Sequence, residues 1–254
     1  MLKGNKQNHF YKTPSYLNMP DLSYRSYEKE LIDDFTLEND ALRQNLEELA
    51  LINTYLGGNQ VTVSGLSQVL NTVSIRQPLQ VGDIGCGGGD MLKVMARWFK
   101  KKQVNADFIG IDANDFMIDF AQKRTQDFYN ISYLHENIFS ESFQKHHFDI
   151  VTMTLFCHHF TDEQLIQLFS QLKTQTKYAL VINDIHRHWL AYYAIAWITK
   201  LFLRSYLVKN DAKLSVWRAF RKNDLEKVVR KAGFQKFSIR WRWAFRWEVV
   251  LYCQ

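Results

Sequence analysis

Residues 81–90 read Val-Gly-Asp-Ile-Gly-Cys-Gly-Gly-Gly-Asp, and this stretch decides the fold. A short apolar-biased run, 79–81, leads into it, and residues 91–99 carry apolar side chains at helical spacing. The predicted order is therefore strand, glycine turn, helix. Glycine suits such a turn because it takes positive φ without strain and lets a ligand lie against the backbone. The start of the helix then offers unpaired N–H groups to that ligand.

Two classes of cofactor bind at turns of this kind. A dinucleotide fingerprint, G-x-G-x-x-G, needs a third glycine where this chain has Asp90, and a carboxylate there would repel a pyrophosphate. The glycines fall instead at every second residue after Asp83, as D-x-G-x-G-x-G. This pattern resembles the first motif of the class I S-adenosylmethionine-dependent methyltransferases. The resemblance implies S-adenosyl-L-methionine as cofactor and S-adenosyl-L-homocysteine as product.

Strands and helices alternate downstream of residue 79. The pattern predicts strands at Leu79–Ile84, Ala106–Asp112, Ile131–His135, Phe148–Thr154 and 178–184, and helices at 90–102, 114–128 and 162–173. Such alternation indicates parallel strands with right-handed crossovers, and a ligand site at the carboxyl ends of the strands. Residues 234–253 alternate in polarity like two strands with a turn near 243–245. The resemblance covers about 79–254 and implies a Rossmann-like, doubly wound α/β sheet of seven strands, mostly parallel with an antiparallel last strand.

Two regions flank or interrupt this predicted sheet. Residues 1–75 are predicted to form an N-terminal helical extension, with an extended or partly disordered lead-in at 1–23 and helical patterns at 24–56 and 66–73. The extension is either a lid, as the resemblance implies, or a packing cap for the sheet edge. Residues 76–254 form the methyltransferase domain, with a helical insertion at about 187–217. Within that region 209–217 is predicted to be loop, and 221–232 an amphipathic helix.

Composition narrows the compartment and the partners. The 254 residues carry a formal charge of +6, and the basic character is concentrated in 187–254, which holds fifteen Lys or Arg against four Asp or Glu. Six of the seven tryptophans are also there. Three scattered cysteines form neither a metal motif nor an even disulfide framework, and 1–20 has no apolar signal segment. We therefore expect a cytoplasmic protein, with possible peripheral contact to anionic membrane through the basic tail.

The cofactor site is predicted from strand ends and from the resemblance. The carboxylate of Asp112 can accept both ribose hydroxyls, or it can cap the helix that follows. Asp83 would lie near the ammonium of the methionine moiety, or would brace the loop. Asn137 would read the adenine amino group, with Ile138 beside the purine or packed in the core. The full set of predicted cofactor contacts is Asp83, Gly85, Cys86, Gly87, Gly89, Asp112, Ala113, Asn137, Ile138 and Thr154.

Candidate catalytic residues follow the fourth and fifth strands. His158, in a paired-histidine segment, suggests a general base, although such a residue can also brace the loop. Residues 183–189 read Asn-Asp-Ile-His-Arg-His-Trp, in which Asp184 can orient His186 as a base, or can cap the next helix. Arg187 can grip a carboxylate or phosphate on a substrate. Adjacent histidines alone do not make a metal site, so no metal is predicted.

The acceptor is predicted from residues 189–208, which open with ten apolar or aromatic residues. Lys200 and Arg204 interrupt the run before it reaches the ~20 residues of a membrane span. Three interpretations of the segment remain open: a helix that lines an apolar pocket, a helix at a membrane interface, and ordinary core packing. Nucleic acid is not the predicted substrate, since the chain has neither an Asn-Pro-Pro-aromatic tetrapeptide nor a Pro-Cys nucleophile.

Together these features predict a methyltransferase that acts on a small, apolar or aromatic acceptor. The alternatives are a membrane-surface lipid or quinone methyltransferase, and a non-catalytic protein that binds S-adenosylmethionine.

Overall fold

The computed structural model describes residues 20–33 and 39–254, so the predictions for 1–19 and 34–38 lie outside the described residues. The helices are α1 Asn39–Tyr55, α2 Gly58–Thr72, α3 Asp90–Lys101, α4 Asp115–Thr125, α5 Asp162–Gln175, α6 Trp189–Phe202, α7 Tyr206–Arg218 and α8 Lys222–Lys231. The strands are β1 Leu79–Ile84, β2 Ala106–Asp112, β3 Ile131–His135, β4 Phe148–Thr154, β5 Thr176–Ile185, β6 Phe237–Arg242 and β7 Arg246–Tyr252. Short 3-10 turns occupy Leu31–Asp33, Phe143–Lys145 and Cys157–His159.

The strands form one seven-stranded sheet in the order β3-β2-β1-β4-β5-β7-β6. β1 to β5 are parallel, whereas β7 runs antiparallel to both β5 and β6. The predicted fold class is therefore confirmed, including the antiparallel last strand and the hairpin that leads into it. Strand order reverses beside β1, and the crevice outside the carboxyl ends of β1 and β4 is the expected ligand position.

Helices cover both faces of the sheet. On one face, apolar residues of α2 and α3 pack against strands around Val81, Phe108 and Val181. On the other face, α5 and α8 pack against strands around Val151, Leu180 and Val249. The helical periodicity of 90–101 and 162–175 therefore supplies one apolar stripe for each side of a sheet that is buried on both faces.

The N-terminal region differs from its predicted form. Residues 24–30 are not helical and have no regular secondary structure, and α1 spans Asn39–Tyr55 of the described residues. α2 begins at Gly58, eight residues before its predicted start, and ends one residue early. It packs closely on the sheet, since a Cβ on Gly65 would lie 2.5 Å from Val181 Cγ1. A weak apolar pattern hid the first turns of this helix, because its small and polar residues are buried against strands.

The prediction of a loop at 209–217 is wrong, because these residues belong to α7. Ser205 caps the helix by accepting a hydrogen bond from the Val208 N–H at 3.3 Å. Glu48 of α1 accepts from the Arg204 and Ser205 amides at 2.9 and 3.0 Å. These tertiary contacts stabilise α7 as a helix, although the polar residues of the segment do not follow a helical pattern. None of the helices in the described residues combines the length and apolar composition needed to cross a bilayer.

Candidate functional site

The glycine turn after β1 has positive φ angles, a backbone conformation that only glycine adopts easily. Gly85, Gly87 and Gly89 have φ values of 68°, 47° and 73°. The Gly85 and Cys86 N–H groups donate to the Ile111 carbonyl at 2.8 and 3.1 Å, which fastens the turn to β2. Gly89 then precedes the first turn of α3. The turn therefore exposes backbone at the carboxyl edge of β1.

Asp90, which excludes a dinucleotide motif in the sequence, is turned toward α4. Its two carboxylate oxygens accept from Arg124 Nη1 and Nη2 at 2.7 and 2.8 Å, and Lys93 lies 3.1 Å away. The side chain thus ties the start of α3 to α4 and has its charge paired.

Asp112 holds the glycine turn from the neighbouring strand. Its Oδ2 accepts from the Gly87 N–H and its Oδ1 from the Asn114 N–H, each at 3.1 Å. Burial raises the pKa of this carboxyl above its usual range. The cap of α4 is Asn114, whose Oδ1 accepts from the Phe116 N–H at 2.9 Å. Asp112 is therefore not the N-cap, and each of its oxygens has room for a further donor such as a sugar hydroxyl.

Asp83 lies one strand away from Asp112 and is buried. Its Oδ1 accepts from the Thr152 hydroxyl at 2.6 Å. Burial raises the pKa of Asp83 to about 7, and the nearby Asp112 adds to that shift. A cation placed at this edge of the sheet would favour the ionised form of Asp83.

The remaining predicted cofactor residues occupy the rim of the same edge. Asn137 is exposed after β3, and its Oδ1 accepts from the Phe139 N–H at 2.9 Å. Ile138 is buried in the core under α5. Ala113 is exposed, and its carbonyl faces His135 Nε2 at 3.1 Å. Cys86 is buried, which raises the pKa of its thiol well above the usual range.

Thr154 ends β4 and begins a chain of polar contacts to α2. Its hydroxyl lies 2.9 Å from the Thr62 hydroxyl, which accepts from Asn183 Nδ2 at 3.0 Å. Asn183 Nδ2 also donates to the Gly58 carbonyl at 2.8 Å, while Asn183 Oδ1 has no partner. The start of α2 therefore adjoins the ends of β4 and β5.

The predicted pairing of Asp184 with His186 is wrong, because Asp184 pairs with His158. His158 Nδ1 lies 2.8 Å from Asp184 Oδ1, and both side chains are buried. Asp184 also accepts from the His158 and Ile185 amides at 3.1 and 2.7 Å. Burial alone would raise the pKa of Asp184, but His158 and these hydrogen bonds bring it below its ordinary value. The alignment of β4 with β5 explains why Asp184 pairs with His158 and not with His186, since the loop after β4 lies directly beside the end of β5.

The other face of His158 meets the extended N-terminal segment. Its Nε2 lies 3.6 Å from Glu30 Oε1, a buried atom without a hydrogen bond. Three residues each offer one possible metal-ligand atom: Glu30, His158 and His159. These atoms lie within 4.8 Å of one another, a grouping that can hold a metal ion. Arg218 Nε, however, lies 3.8 Å from Glu30 Oε1 and already brings a positive charge. Burial raises the pKa of Glu30 to about 7.

His186 and Arg187 have opposite environments. The His186 ring is partly exposed and contacts His188, Phe245 and Trp247, and its Nδ1 has no partner. Burial is the main reason that the pKa of His186 is lowered to about 4, and the nearby His188 is the second. The ring is therefore neutral at pH 7. Arg187 is buried and bound to the Leu22 and Ala219 carbonyls and to Asp224, so it does not face a substrate.

Helix α1 lies over the glycine turn. A Cβ on Gly87 would be 3.4 Å from Leu46 Cδ2, and Leu42 and Leu46 pack with Met117 of α4 and Leu207 of α7. Sequence reasoning missed Glu30, Thr62 and Arg246 as neighbours of this edge. No motif marks them, because each arrives from an element distant in the chain.

Comparison with known proteins agrees with this geometry. Residues 81–178 match the model of a family described as methyltransferase domain. No curated protein matches the sequence.

Several solved structures have a similar fold. Magnesium protoporphyrin IX methyltransferase (ChlM) from Synechocystis PCC 6803 with bound SAH has a TM-score of 0.52 at 18% identity, covering 77% of this chain and 83% of that one. The plantazolicin methyltransferase BpumL in complex with SAH has a TM-score of 0.61 at 15% identity, covering 84% and 89%. A SAM-dependent methyltransferase from Aquifex aeolicus has a TM-score of 0.59 at 14% identity, covering 86% and 100%. At these identities the likeness shows the fold.

Proposed function

Since residues 81–178 match the model of the methyltransferase domain family and the sheet has the fold of S-adenosylmethionine-dependent methyltransferases of known structure, we propose that the protein methylates a small, apolar or aromatic acceptor. S-adenosyl-L-methionine would be the methyl donor. The observation that carries this proposal is the pair of carboxylates, Asp83 and Asp112, beside a glycine turn at the carboxyl edge of β1. Sugar hydroxyls and an ammonium donate hydrogen bonds, and this pair of carboxylates supplies the acceptors for them.

We assign the cofactor contacts as follows. Asp112 would bind the ribose hydroxyls, while Asp83 would face the ammonium. The glycine turn would lie against the methionine moiety, because it has no side chains except that of Cys86. Asn137 and Ile138 would flank the adenine, with Ala113 and Thr154 at the rim of the site.

The bound cofactor supplies a methyl group already activated on a sulfonium. The chain therefore needs only to position the acceptor, exclude water and, for an acidic acceptor group, accept a proton. His186 is the first candidate for that base because its buried Nδ1 has no hydrogen-bond partner; its pKa of about 4 makes it a weak base, and the pKa would have to rise when the acceptor binds. His158 is the alternative base, held in one orientation by Asp184. A positioned base contributes roughly 10²–10⁴-fold, and His186→Asn should lower kcat accordingly.

Calorimetry with S-adenosyl-L-methionine and S-adenosyl-L-homocysteine tests the cofactor assignment. We expect both to bind, and Asp112→Ala to weaken binding by at least about tenfold, since a charged hydrogen-bond acceptor is lost. Asp107→Asn is the matched control, because Asp107 is exposed on the same strand. A turnover assay with a panel of phenols, carboxylic acids and amines separates an enzyme from a protein that only binds the cofactor. Absence of cofactor binding by the wild-type protein would refute the proposal.

We further propose that residues 1–75 act as a lid on the domain formed by 76–254, and that the insertion at 187–217 recognises the acceptor. α1 supports the first part because it lies against Gly87. The insertion follows β5, on the edge that also holds Asp184 and His186. We propose a cytoplasmic location as well, because Cys86, Cys157 and Cys253 are all unpaired.

A second candidate is a methyltransferase that works at a membrane surface on a lipid or quinone. The observation that favours it is an apolar stripe along α6, spaced three or four residues apart and exposed: Leu190, Tyr193, Trp197 and Leu201. The exposed side chains of Lys200, Arg204 and Lys209 follow the stripe and would complement anionic headgroups. Flotation with phosphatidylserine vesicles should recover the wild-type protein but not Trp197→Glu. Equal flotation of the two proteins would exclude this surface.

A further inference from the structure

Arg246, at the start of β7, has a buried guanidinium with unused hydrogen-bonding capacity. Its Nη2 donates to Asn53 Oδ1 at 2.8 Å, whereas its Nη1 has no partner. The side chain takes part in none of the ion pairs found among the described residues. A buried cation without a paired anion is costly, so such a group calls for a ligand or a function.

The neighbouring acids are already engaged. Glu248, two residues along β7, accepts from Arg242 Nε and Nη2 at 2.9 and 3.0 Å, with Arg240 at 3.9 Å. Asp184 is bound to His158 and to backbone amides. Burial lowers the pKa of Arg246 to about 10, partly offset by Asp184, so the guanidinium remains charged at neutral pH.

The position of Arg246 places this charge at the edge where ligands bind. β7 is antiparallel, so Arg246 lies opposite Ile185 at the carboxyl end of β5. Gly58 separates Arg246 from Asn183: a Cβ there would lie 3.5 Å from Arg246 Nη2, and the Gly58 carbonyl accepts from Asn183 Nδ2. A Cβ on Gly58 would also lie 2.9 Å from Asn53 Oδ1, so the glycine lets Asn53, Arg246 and Asn183 pack around one backbone position.

Asn183 contributes the complementary group. Its buried Oδ1 is an acceptor without a partner, while Arg246 Nη1 is a donor without one. Asn183 is also joined through Thr62 to Thr154, a residue assigned to the rim of the cofactor site. The free acceptor of Asn183 is therefore connected by hydrogen bonds to the proposed rim of the cofactor site, and the free donor of Arg246 lies on the other side of Gly58.

We propose that Arg246 and Asn183 form an acceptor subsite that recognises an anionic oxygen, of a carboxylate or an ionised phenol, on the molecule to be methylated. The proposal rests on the proposed function and specifies its substrate class. Arg246 Nη1 would donate to the anionic oxygen, and Asn183 Oδ1 would accept from an N–H or O–H beside it. Access requires α1 to separate from α2, and the two helices meet at Gly57, which has a φ of 71°.

Binding of three small probes to the protein saturated with S-adenosyl-L-homocysteine tests this subsite. The probes are benzoate, 4-nitrophenolate and benzamide, the last being a neutral analogue of benzoate. We expect at least one anion to bind tenfold or more tightly than benzamide, because a charged hydrogen bond is at stake. The anion that binds identifies the acceptor as a carboxylate or a phenolate. Benzamide binding as tightly as both anions would overturn the subsite.

Three variants show whether the effect belongs to Arg246. Arg246→Gln should lose about tenfold or more of the anion affinity while keeping its affinity for S-adenosyl-L-homocysteine. Arg246→Lys, which keeps the charge and the fold, should retain part of the anion affinity. Arg240→Gln, on the exposed face of the same hairpin, is the matched control and should behave as wild type. Unchanged anion binding in Arg246→Gln contradicts the proposal, whereas loss of S-adenosyl-L-homocysteine binding by the wild type would contradict the proposed function itself.

Discussion

Asp83 and Asp112 flank one glycine turn, yet their environments differ. Asp112 accepts from two backbone amides, while Asp83 has one hydroxyl donor and is fully enclosed. The pKa of Asp83 is therefore raised to about 7, within the physiological range. A bound ammonium would reverse this shift, because a nearby cation favours the carboxylate.

Cofactor binding should consequently depend on pH through Asp83. Below about pH 7 the ligand-free protein holds a proton there, and binding must release it, so affinity should fall by up to about tenfold per pH unit as pH decreases. Asp83→Asn should bind more weakly at pH 8 and show no pH dependence between 6 and 8. Calorimetry in phosphate and in Tris measures the released proton. Equal proton release by wild type and Asp83→Asn would assign the proton to another group.

Gly85 tests the requirement for glycine at the turn. An added Cβ would lie 2.1 Å from Phe156 Cδ2, and φ is +68°. Gly57 has nearly the same φ, +71°, but nothing within 4 Å of the added atom. We expect Gly57→Ala to cost about 1–2 kcal/mol from backbone strain alone. Gly85→Ala should cost distinctly more, because the Phe156 ring must move. Urea unfolding measures both, and equal costs would show that the ring yields freely.

For individual residues, the sequence predicts the features that depend on neighbours along the chain. The glycine turn and Asp112 are recognisable because three glycines and a strand-end acid lie close together in the chain. The pairing of Asp184 with His158, rather than with His186, depends on how β4 and β5 align. The unpaired state of Arg246 depends on Glu248 being engaged by Arg242. Side-chain partners of this kind follow from tertiary register, which no local pattern encodes.

Among the elements, α1 is the one whose position bears most directly on access to the site. It contacts the glycine turn through Leu46, and it is joined to α7 through Glu48. Two small apolar clusters hold α1 over the binding edge, one around Leu42 and Leu46 and one around Ile52. An element held by few buried contacts opens at low free energy.

Leu46→Ala should therefore speed the release of S-adenosyl-L-homocysteine. Truncating a buried leucine costs roughly 2–5 kcal/mol, and the part of it that holds α1 closed should raise the release rate at least about tenfold. Leu51→Ala, on the same helix but exposed, is the control and should leave release unchanged. Stopped-flow fluorescence measures the rates. Identical rates in the two variants would argue against α1 as a lid.

Helices and strands were predicted correctly where their apolar residues follow one regular pattern and pack in one kind of environment. Four of the first five strands match their predicted bounds. For β1 and β4, in the centre of the sheet, the reason is that a strand buried on both faces has a nearly continuous apolar run. α7 was missed because its polar residues, including the buried Asp211, serve other segments: Asp211 accepts from the Leu31 and Ile32 amides at 2.9 and 3.0 Å. Such a helix is specified by its neighbours rather than by its own periodicity.

For the molecule as a whole, buried arginines join the N-terminal segment, residues 20–33, to α7 and to the loops after β4 and β5. Arg218 donates to the Glu28 carbonyl at 2.6 Å, and Arg187 to the Leu22 carbonyl at 3.0 Å. Arg25 extends from the segment in the other direction and reaches Asp162 and the Phe160 carbonyl. The segment therefore closes over the loop after β4 by charged hydrogen bonds instead of by an apolar face.

Arg25→Ala should destabilise the whole fold. Its guanidinium donates to the Arg218 carbonyl at 2.8 Å, to Asp162 at 2.7 Å and to the Phe160 carbonyl at 3.0 Å, and it lies 4.2 Å from the centre of the Phe220 ring. Removing one partner of a buried charged network costs about 3–5 kcal/mol, which lowers Tm by roughly 6–20 °C at this chain length.

Lys29→Ala provides the matched control, since Lys29 is exposed on the same segment and its loss should change stability by no more than about 0.5 kcal/mol. Calorimetric Tm values compare the two variants. Hydrogen exchange should then rise in Arg25→Ala both in residues 20–33 and in 158–162, because both ends of the network lose their tie. Faster exchange in the segment alone would mean that the loop after β4 is held independently of Arg25, and that the segment is an addition to a sheet already stable without it.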